Sequence, residues 1–267
     1  MIVRSAILNV MTKAVEKAGR GLVRDFGEIE QLQVSRKGPA DFVSAADQRA
    51  EQTLLRELEK ARPDFGFLME ESGEIKGNDD EHRFIIDPLD GTTNFLHGLP
   101  HFAISVAMEQ RGEVVAGVIY DPIKDEMYWA EKGKGAYQND RRLRVSARAR
   151  LSDSVFATGI PFLGVQEGEG HQQFLRRLEK VMAKTAGVRR WGTASLDLAY
   201  VAAGRFDGFW ERGLKPWDVA AGLLMVKEAG GMVSDAQARK YKFTSQDIVA
   251  GNEKIHKSLL DLLRSAG

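Results

Sequence analysis

Phe84 to Phe95 reads FIIDPLDGTTNF. The apolar run Phe84-Ile85-Ile86 predicts a buried strand that delivers Asp87, Pro88, Leu89 and Asp90 to its carboxyl end, where open α/β sheets place ligands. Pro88 lacks a backbone N–H and has a fixed φ, so strand pairing is expected to stop there. Gly91 allows close backbone approach or positive φ. Thr92, Thr93 and Asn94 read as a helix start whose free N–H groups suit an anion such as phosphate. Two carboxylates beside an anion cradle repel the anion unless cations lie between them. The local chemistry therefore implies a divalent metal held between Asp side chains and a phosphate.

Upstream, Phe65 to Met69 predicts a short strand ending in Glu70 and Glu71, of which only one can point into a given site because strand residues alternate. Ser72 to Glu81 reads as a surface loop. Before it, Val3, Ile7, Val10, Met11, Ala14, Val15 and Ala18 share one face of an N-terminal amphipathic helix, not a signal peptide. Gly27 to Gly38 suggests a mobile loop or short hairpin. Ser44 and Asp47 form a capping box opening a second helix, so Asp47 reads as a cap; Asp41 is a turn residue or a support for the site. Downstream, His97 and His101 have a metal-like spacing, but Gly98 and Pro100 between them argue against the helix zinc would need. Ala103 to Tyr137 alternates strands and turns, with a hairpin turn at Gly133-Lys134-Gly135, and predicts an antiparallel meander.

The second half alternates helices and strands. Strands are expected at Ser154–Thr158, Val188–Trp191, Phe206–Trp210, near Met232 and near Ile248. Helices are expected at His171–Ala183, from Gly192–Ser195 to Ala203, from Pro216 to Gly230-Gly231, and from Glu253. Gly164 to Gly170 reads as a loop. The fold class is α/β with an antiparallel first half.

The chain has 267 residues, 38 basic and 38 acidic, and no cysteine. That length suits one large α/β unit or two lobes. Zero net charge gives no global argument for nucleic-acid or membrane binding. The absence of cysteine removes thiol chemistry and Cys-type zinc sites and is compatible with a reducing cytoplasm. Between Lys132 and Arg150 seven basic residues face one acid, Asp140. That excess suits either RNA or an acidic partner, or a solvated connector between lobes.

Glu70, Asp87, Asp90 and Asp218 each sit at a strand tip or in a helix's first turn. Surface charge, turn chemistry and helix-dipole complementation are alternatives for Glu70, Asp90 and Asp218 respectively. Asp87 ends an apolar strand, where an unpaired charge would be costly. All-oxygen ligation favours Mg²⁺, or Mn²⁺ in its place, over zinc.

Three motifs in order, Glu70-Glu71-Ser72, Asp87 to Phe95, and Trp217-Asp218-Val219-Ala220-Ala221-Gly222 with Glu228-Ala229-Gly230-Gly231, resemble the inositol monophosphatase family of Mg²⁺-dependent, lithium-sensitive phosphatases, bacterial and extragenic-suppressor members included. Met69 departs from the glycine many relatives carry before the paired glutamates.

The resemblance implies an alternating αβαβα sandwich, with an antiparallel sheet in the first half and a second sheet in the C-terminal half. It covers one catalytic unit, 1–267, with a metal and phosphate lobe (1–145) and a substrate lobe (146–267). It implies two or three Mg²⁺: Glu70, Asp87 and the Leu89 carbonyl at one, Asp87, Asp90 and Asp218 at a second, and a weaker third near Glu70. Glu70 and Thr92 would orient the attacking water, and Gly91 and Thr92 would bind phosphate through the backbone. Asp90, Ala194, Glu211 and Asp218 would contact polyol hydroxyls, and the Lys37 loop would close over the site. The implied substrate is myo-inositol 1-phosphate or a similar polyol phosphate; fructose 1,6-bisphosphate, histidinol phosphate and a 3′-phosphonucleotide are the alternatives. A cytoplasmic homodimer is implied, with RNA or the transcription machinery as an additional partner.

Overall fold

The computed structural model describes residues 4–28, 34–38, 41–161 and 168–266; the side chains of 34–38 and 41–43 lie outside the description. The chain runs α1 (Ala6–Phe26), β1 (Val34–Gly38), β2 (Asp41–Ser44), α2 (Ala45–Ala61), β3 (Phe65–Met69), β4 (Gly73–Ile75), β5 (Asp79–Asp90) and α3 (Thr92–Leu96). The meander follows as β6 (Ala103–Gln110), β7 (Glu113–Asp121), β8 (Glu126–Glu131), β9 (Gly135–Gln138) and β10 (Arg141–Arg142). The second half comprises β11 (Val155–Thr158), α4 (Glu169–Met182), β12 (Gly187–Arg189), α5 (Ala194–Ala202), β13 (Gly208–Arg212), α6 (Pro216–Glu228), β14 (Met232–Ser234), β15 (Asp247–Gly251) and α7 (Glu253–Ser265).

These elements stack as five layers. An eight-stranded sheet, order β10-β9-β8-β7-β6-β5-β3-β4, carries α1 and α2 on one face and α6 on the other. A five-stranded sheet, order β12-β11-β13-β15-β14, packs α5 on one face and α4 with α7 on the other. The central helices α5 and α6 pack against each other between the sheets. Their sequences fit that place: every residue of α5 and most of α6 are buried, as helices apolar all round must be. By contrast α1, α4 and α7 each bury a single stripe. The αβαβα arrangement expected from the motifs is the observed one.

Two local expectations are corrected. β5 does not stop at Pro88; it continues to Asp90, and the interruption is absorbed by a bulge. Its register against β6 passes from Asp87↔Ser105 to Asp90↔Ala103, three steps against two. A bulge is where a strand tolerates proline, and here it turns the strand tip without ending it. The stretch 72–81 is not all loop either, since β4 pairs antiparallel with β3 and β5 starts at Asp79. β4 is an exposed three-residue edge, too short to show an alternating pattern.

Two other expectations touch residues outside the description. The segment 27–38 contributes β1, which pairs with β2 as a hairpin, while 29–33 lie outside the described residues. Most of the Gly164–Gly170 loop also lies outside them, although Gly170 belongs to α4.

Candidate active site

β3 and β5 run parallel as neighbours, so their carboxyl ends lie together. The backbone N–H of Glu70 donates to the Ile86 carbonyl (3.2 Å), fixing Glu70 beside the Asp87 end. Asp87 is 2% exposed and its Oδ1 accepts from Leu89 N (3.0 Å). After the bulge, Gly91 takes φ +96° and caps α3. A Cβ there would stand 2.7 Å from Thr193 Oγ1, so glycine is required both for the turn and for the approach of α5. The first N–H groups of α3 have no intrahelical acceptor, as expected for an anion cradle.

Thr92 Oγ1 lies 3.0 Å from Asp47 Oδ1 and 3.0 Å from the Leu89 carbonyl. Its one proton serves only one of them at a time. Asp47 is fully buried, and its other oxygen accepts from Ser44 N (2.9 Å) and Ser44 Oγ (2.5 Å). Asp47 therefore caps α2 as read, and it also anchors Thr92, which the capping pattern did not reveal. Burial raises the Asp47 carboxyl above its ordinary value, while the bonds from Ser44 and then Thr92 oppose that rise. Glu51, one turn further along α2, accepts from Glu71 N (2.9 Å) and Ser72 Oγ (2.5 Å). That bond holds the turn carrying Glu70.

The second half closes the site. Asp90 Oδ2 accepts from Ser195 N (2.8 Å) and Ser195 Oγ (2.5 Å) at the start of α5, and Ala194 N also donates to Asp90. Ala194 thus reaches the site through its backbone. Asp218 Oδ2 accepts from Lys215 N (2.7 Å) across the start of α6, where Pro216 takes the first position as expected. Glu211, in β13, accepts from Gly159 N.

Burial and the closeness of these acids shift their ionisation. Asp87 is pushed well up, by burial first and then by the carboxylates of Glu70, Asp90 and Asp218. Asp218 is also pushed well up, by burial and then Asp90. Burial lifts Asp90 to about 6 against the Ser195 bonds, and lifts Glu211 to about 8 with Asp90 adding to it and Arg190 opposing. No basic side chain is among the leading influences on Asp87, Asp90 or Asp218. Such a cluster of hard oxygens calls for a cation, and its donor set fits Mg²⁺. Among the described residues no three His, Asp or Glu side chains form a closed ligand set by themselves.

Glu70, Asp87, Leu89, Asp90, Gly91, Thr92, Ala194, Glu211 and Asp218 are thus brought to one region. The backbone of Lys37 lies in β1, and its side chain is outside the described residues. Asp41 belongs to β2, its side chain likewise outside the description. His97 is exposed, while His101 packs edge-on against Trp191 with centroids 5.0 Å apart, so the two form no metal pair. Asp197, inside the apolar α5, escaped the reading of the sequence; it is buried and pushed well up by burial, then by Glu211 and Asp90. An acid within the run Leu196-Asp197-Leu198 was the available signal. In the basic segment, Lys132, Lys134, Arg148 and Arg150 pair with Glu113, Glu131, Asp207 and Asp153.

Comparison with known proteins gives concordant matches. The sequence profile of the inositol monophosphatase family matches residues 4–267. An inositol-1-monophosphatase of Rhizobium meliloti is 59% identical over 261 residues, covering 98% of this chain and 97% of that protein. The Nus factor SuhB of Escherichia coli is 42% identical over 258 residues, covering 97% and 96%. The crystal structure of the extragenic suppressor protein suhB from Bartonella henselae superposes with a TM-score of 0.94 at 60% identity, covering 97% of this chain and 99% of that one.

Proposed function

The chain belongs to the inositol monophosphatase family, a family of phosphatases, and on that premise we propose that it hydrolyses myo-inositol 1-phosphate or a similar small polyol phosphate with Mg²⁺. The observation that carries the reading is the meeting of the buried Asp87 with the partly buried Glu70, Asp90 and Asp218, with no basic side chain among the leading influences on the three aspartates. Glu70, Asp87 and the Leu89 carbonyl would hold one ion, Asp87, Asp90 and Asp218 a second, with a weaker third near Glu70; Mn²⁺ would suit the same oxygens. When bound, the ions offset phosphate charge and lower the pKa of water.

The chain's own groups do the rest. Asp47 Oδ1 accepts the Thr92 proton, leaving Thr92 Oγ1 lone pairs to accept from the attacking water. The Glu70 carboxylate takes the proton that this water sheds. Backbone N–H groups of Gly91 and Thr92 bind the phosphoryl oxygens. Asp90, Glu211 and Asp218 accept from polyol hydroxyls, Ala194 supports that pocket through its backbone, and the Lys37 loop covers it. No covalent phosphoenzyme is needed. We further read the protein as a cytoplasmic, lithium-sensitive homodimer; no helix among the described residues is long and apolar enough to cross a membrane.

Phosphate release from myo-inositol 1-phosphate with Mg²⁺ and again with EDTA tests the proposal. Release in Mg²⁺ that chelation abolishes is expected, and equal rates would overturn it. Fructose 1,6-bisphosphate and histidinol phosphate in the same assay rank the alternative substrates. A second role in transcription or RNA handling is favoured by one observation, the relatives that carry a Nus-factor name. Against it as the main role, at least four of the seven basic side chains between Lys132 and Arg150 already pair with carboxylates. Failure to retain RNA or RNA-polymerase-associated factors at low salt would remove it.

A further inference from the structure

Glu211 has two settings. It feels Asp90 of the carboxylate cluster, and it also lines a narrow cavity of about 50 Å³ between the end of β11, α4 and β13. Thr158, Gln173, Arg177, Trp210 and Arg212 share that wall. A Cβ on Gly159 would stand 1.8 Å from Glu211 Oε1, so glycine at this position leaves room for the Glu211 carboxylate in the cavity wall.

The wall is rich in donors that the catalytic reading does not use. Arg177 is 9% exposed and spends Nη1 on Asp247 Oδ1 (3.0 Å); its buried Nε has no partner among the described residues. Trp210 is 3% exposed, and its indole N–H also lacks a partner among them. Arg212 donates Nη1 to Gln173 Oε1 (2.6 Å) and places Nε 3.8 Å from the same Asp247 oxygen. Two guanidiniums thus surround one carboxylate, and two buried N–H groups wait for an acceptor. The group that suits them accepts only, carries negative charge and is planar, which describes a carboxylate facing an arginine fork. Size agrees: at roughly 10–15 Å³ per water-sized position the cavity holds about three to five, enough for a three-atom carboxylate but tight for a tetrahedral phosphoryl group.

The geometry points to this cavity as a carboxylate subsite, selecting phosphorylated polyols whose far end is a carboxylate, the aldonic acid phosphates. The inference rests on the phosphatase reading above for the catalysed step, with Glu211 at the mouth holding the intervening hydroxyls.

Two compounds that differ only at the far carbon make the test: 6-phospho-D-gluconate carries a carboxylate where D-glucitol 6-phosphate carries a hydroxymethyl group. With Mg²⁺, the wild-type protein is expected to show about tenfold higher kcat/KM on the gluconate. Arg212→Gln brings the ratio to about one by raising KM for the gluconate, and leaves glucitol 6-phosphate within about twofold. Arg177→Gln behaves alike if its melting curve stays cooperative; if it does not, Arg212→Gln alone decides. A wild-type ratio at or below one, or equal losses on both compounds, would overturn the subsite and leave a cavity that only holds water. Unphosphorylated D-gluconate and D-glucitol separate this from failure of the phosphatase reading. A melting-temperature rise with gluconate alone, absent in Arg212→Gln, supports the subsite even where neither ester is hydrolysed, and no difference between the two polyols counts against it.

Discussion

Asp87 combines near-complete burial with three neighbouring carboxylates, so one side chain carries both the proposed chemistry and a cost to the metal-free fold. Asp87→Asn keeps the oxygen that accepts from Leu89 N while removing the charge. Turnover with Mg²⁺ is expected to fall at least about 10²-fold, the scale of losing one charge-stabilising group. In chelator at pH 8 the variant should melt higher than wild type, because repulsion is relieved, by about 2–4 °C per kcal/mol. Retained turnover, or a lower melting point, would show that Asp87 neither serves the cation nor repels its neighbours. Residues of this kind were legible in the sequence because a strand tip ending in acid is a local pattern. Asp47 was legible only in part: its bond to Ser44 is three residues away, but its bond to Thr92 spans 45. Asp197 was hidden for a related reason, since its meaning depends on Glu211 and Asp90 arriving from other elements.

At the scale of elements, the site's two halves are held by the close packing of α6 between the eight-stranded sheet and α5. Gly117 of β7 and Gly222 of α6 mark the contacts: a Cβ on Gly117 would lie 2.9 Å from Ala221 Cα, and one on Gly222 would lie 2.6 Å from Leu198 Cβ. Gly222→Val pushes α6 away from α5 and moves Asp218, at the start of α6, relative to Asp90, which α5 holds through Ser195. Overpacking of this kind costs about 1–3 kcal/mol. A lower melting temperature together with a higher Mg²⁺ concentration for half-maximal activity is therefore expected, whereas a surface substitution such as Lys60→Ala should change neither. Lower stability with an unchanged Mg²⁺ response would mean that packing and site are independent. Helix starts were readable where caps are local, as Ser44 with Asp47 and Pro216 with Asp218 illustrate; α4, whose cap Gly168 makes no side-chain bond, starts at Glu169, two residues before the expected His171. The short edge strands β4 and β10 were not, because three and two residues carry no period, and their pairing comes from the neighbouring strand.

Across the whole molecule, the acids of the site and the partly buried His101 tilt stability in opposite directions with pH. His101 is lowered to about 4 by burial first, so the folded state holds fewer protons there than the unfolded chain, and its contribution is lost as pH falls below about 6.5. Asp90 and Glu211 are raised to about 6 and about 8, so the folded state holds more protons than the unfolded chain. Their contribution is present below the ordinary carboxylate range of about 4 and is lost as pH rises through about 8. A simple pH scan of melting would mix the two slopes. The difference between scans with saturating Mg²⁺ and with chelator removes the histidine term, which is common to both, and keeps the carboxylates, where cation and protons compete. The Mg²⁺-induced rise in melting temperature should therefore be small at pH 5 and grow through pH 8. At a hundredfold excess over Kd it is worth about 2.7 kcal/mol, or roughly 5–10 °C. A rise of equal size at both pH values would mean that the cation binds away from these acids. Asp87→Asn should flatten the pH dependence of the difference while leaving the His101 slope in place, which assigns the effect to the cluster and not to a general response of the fold to salt.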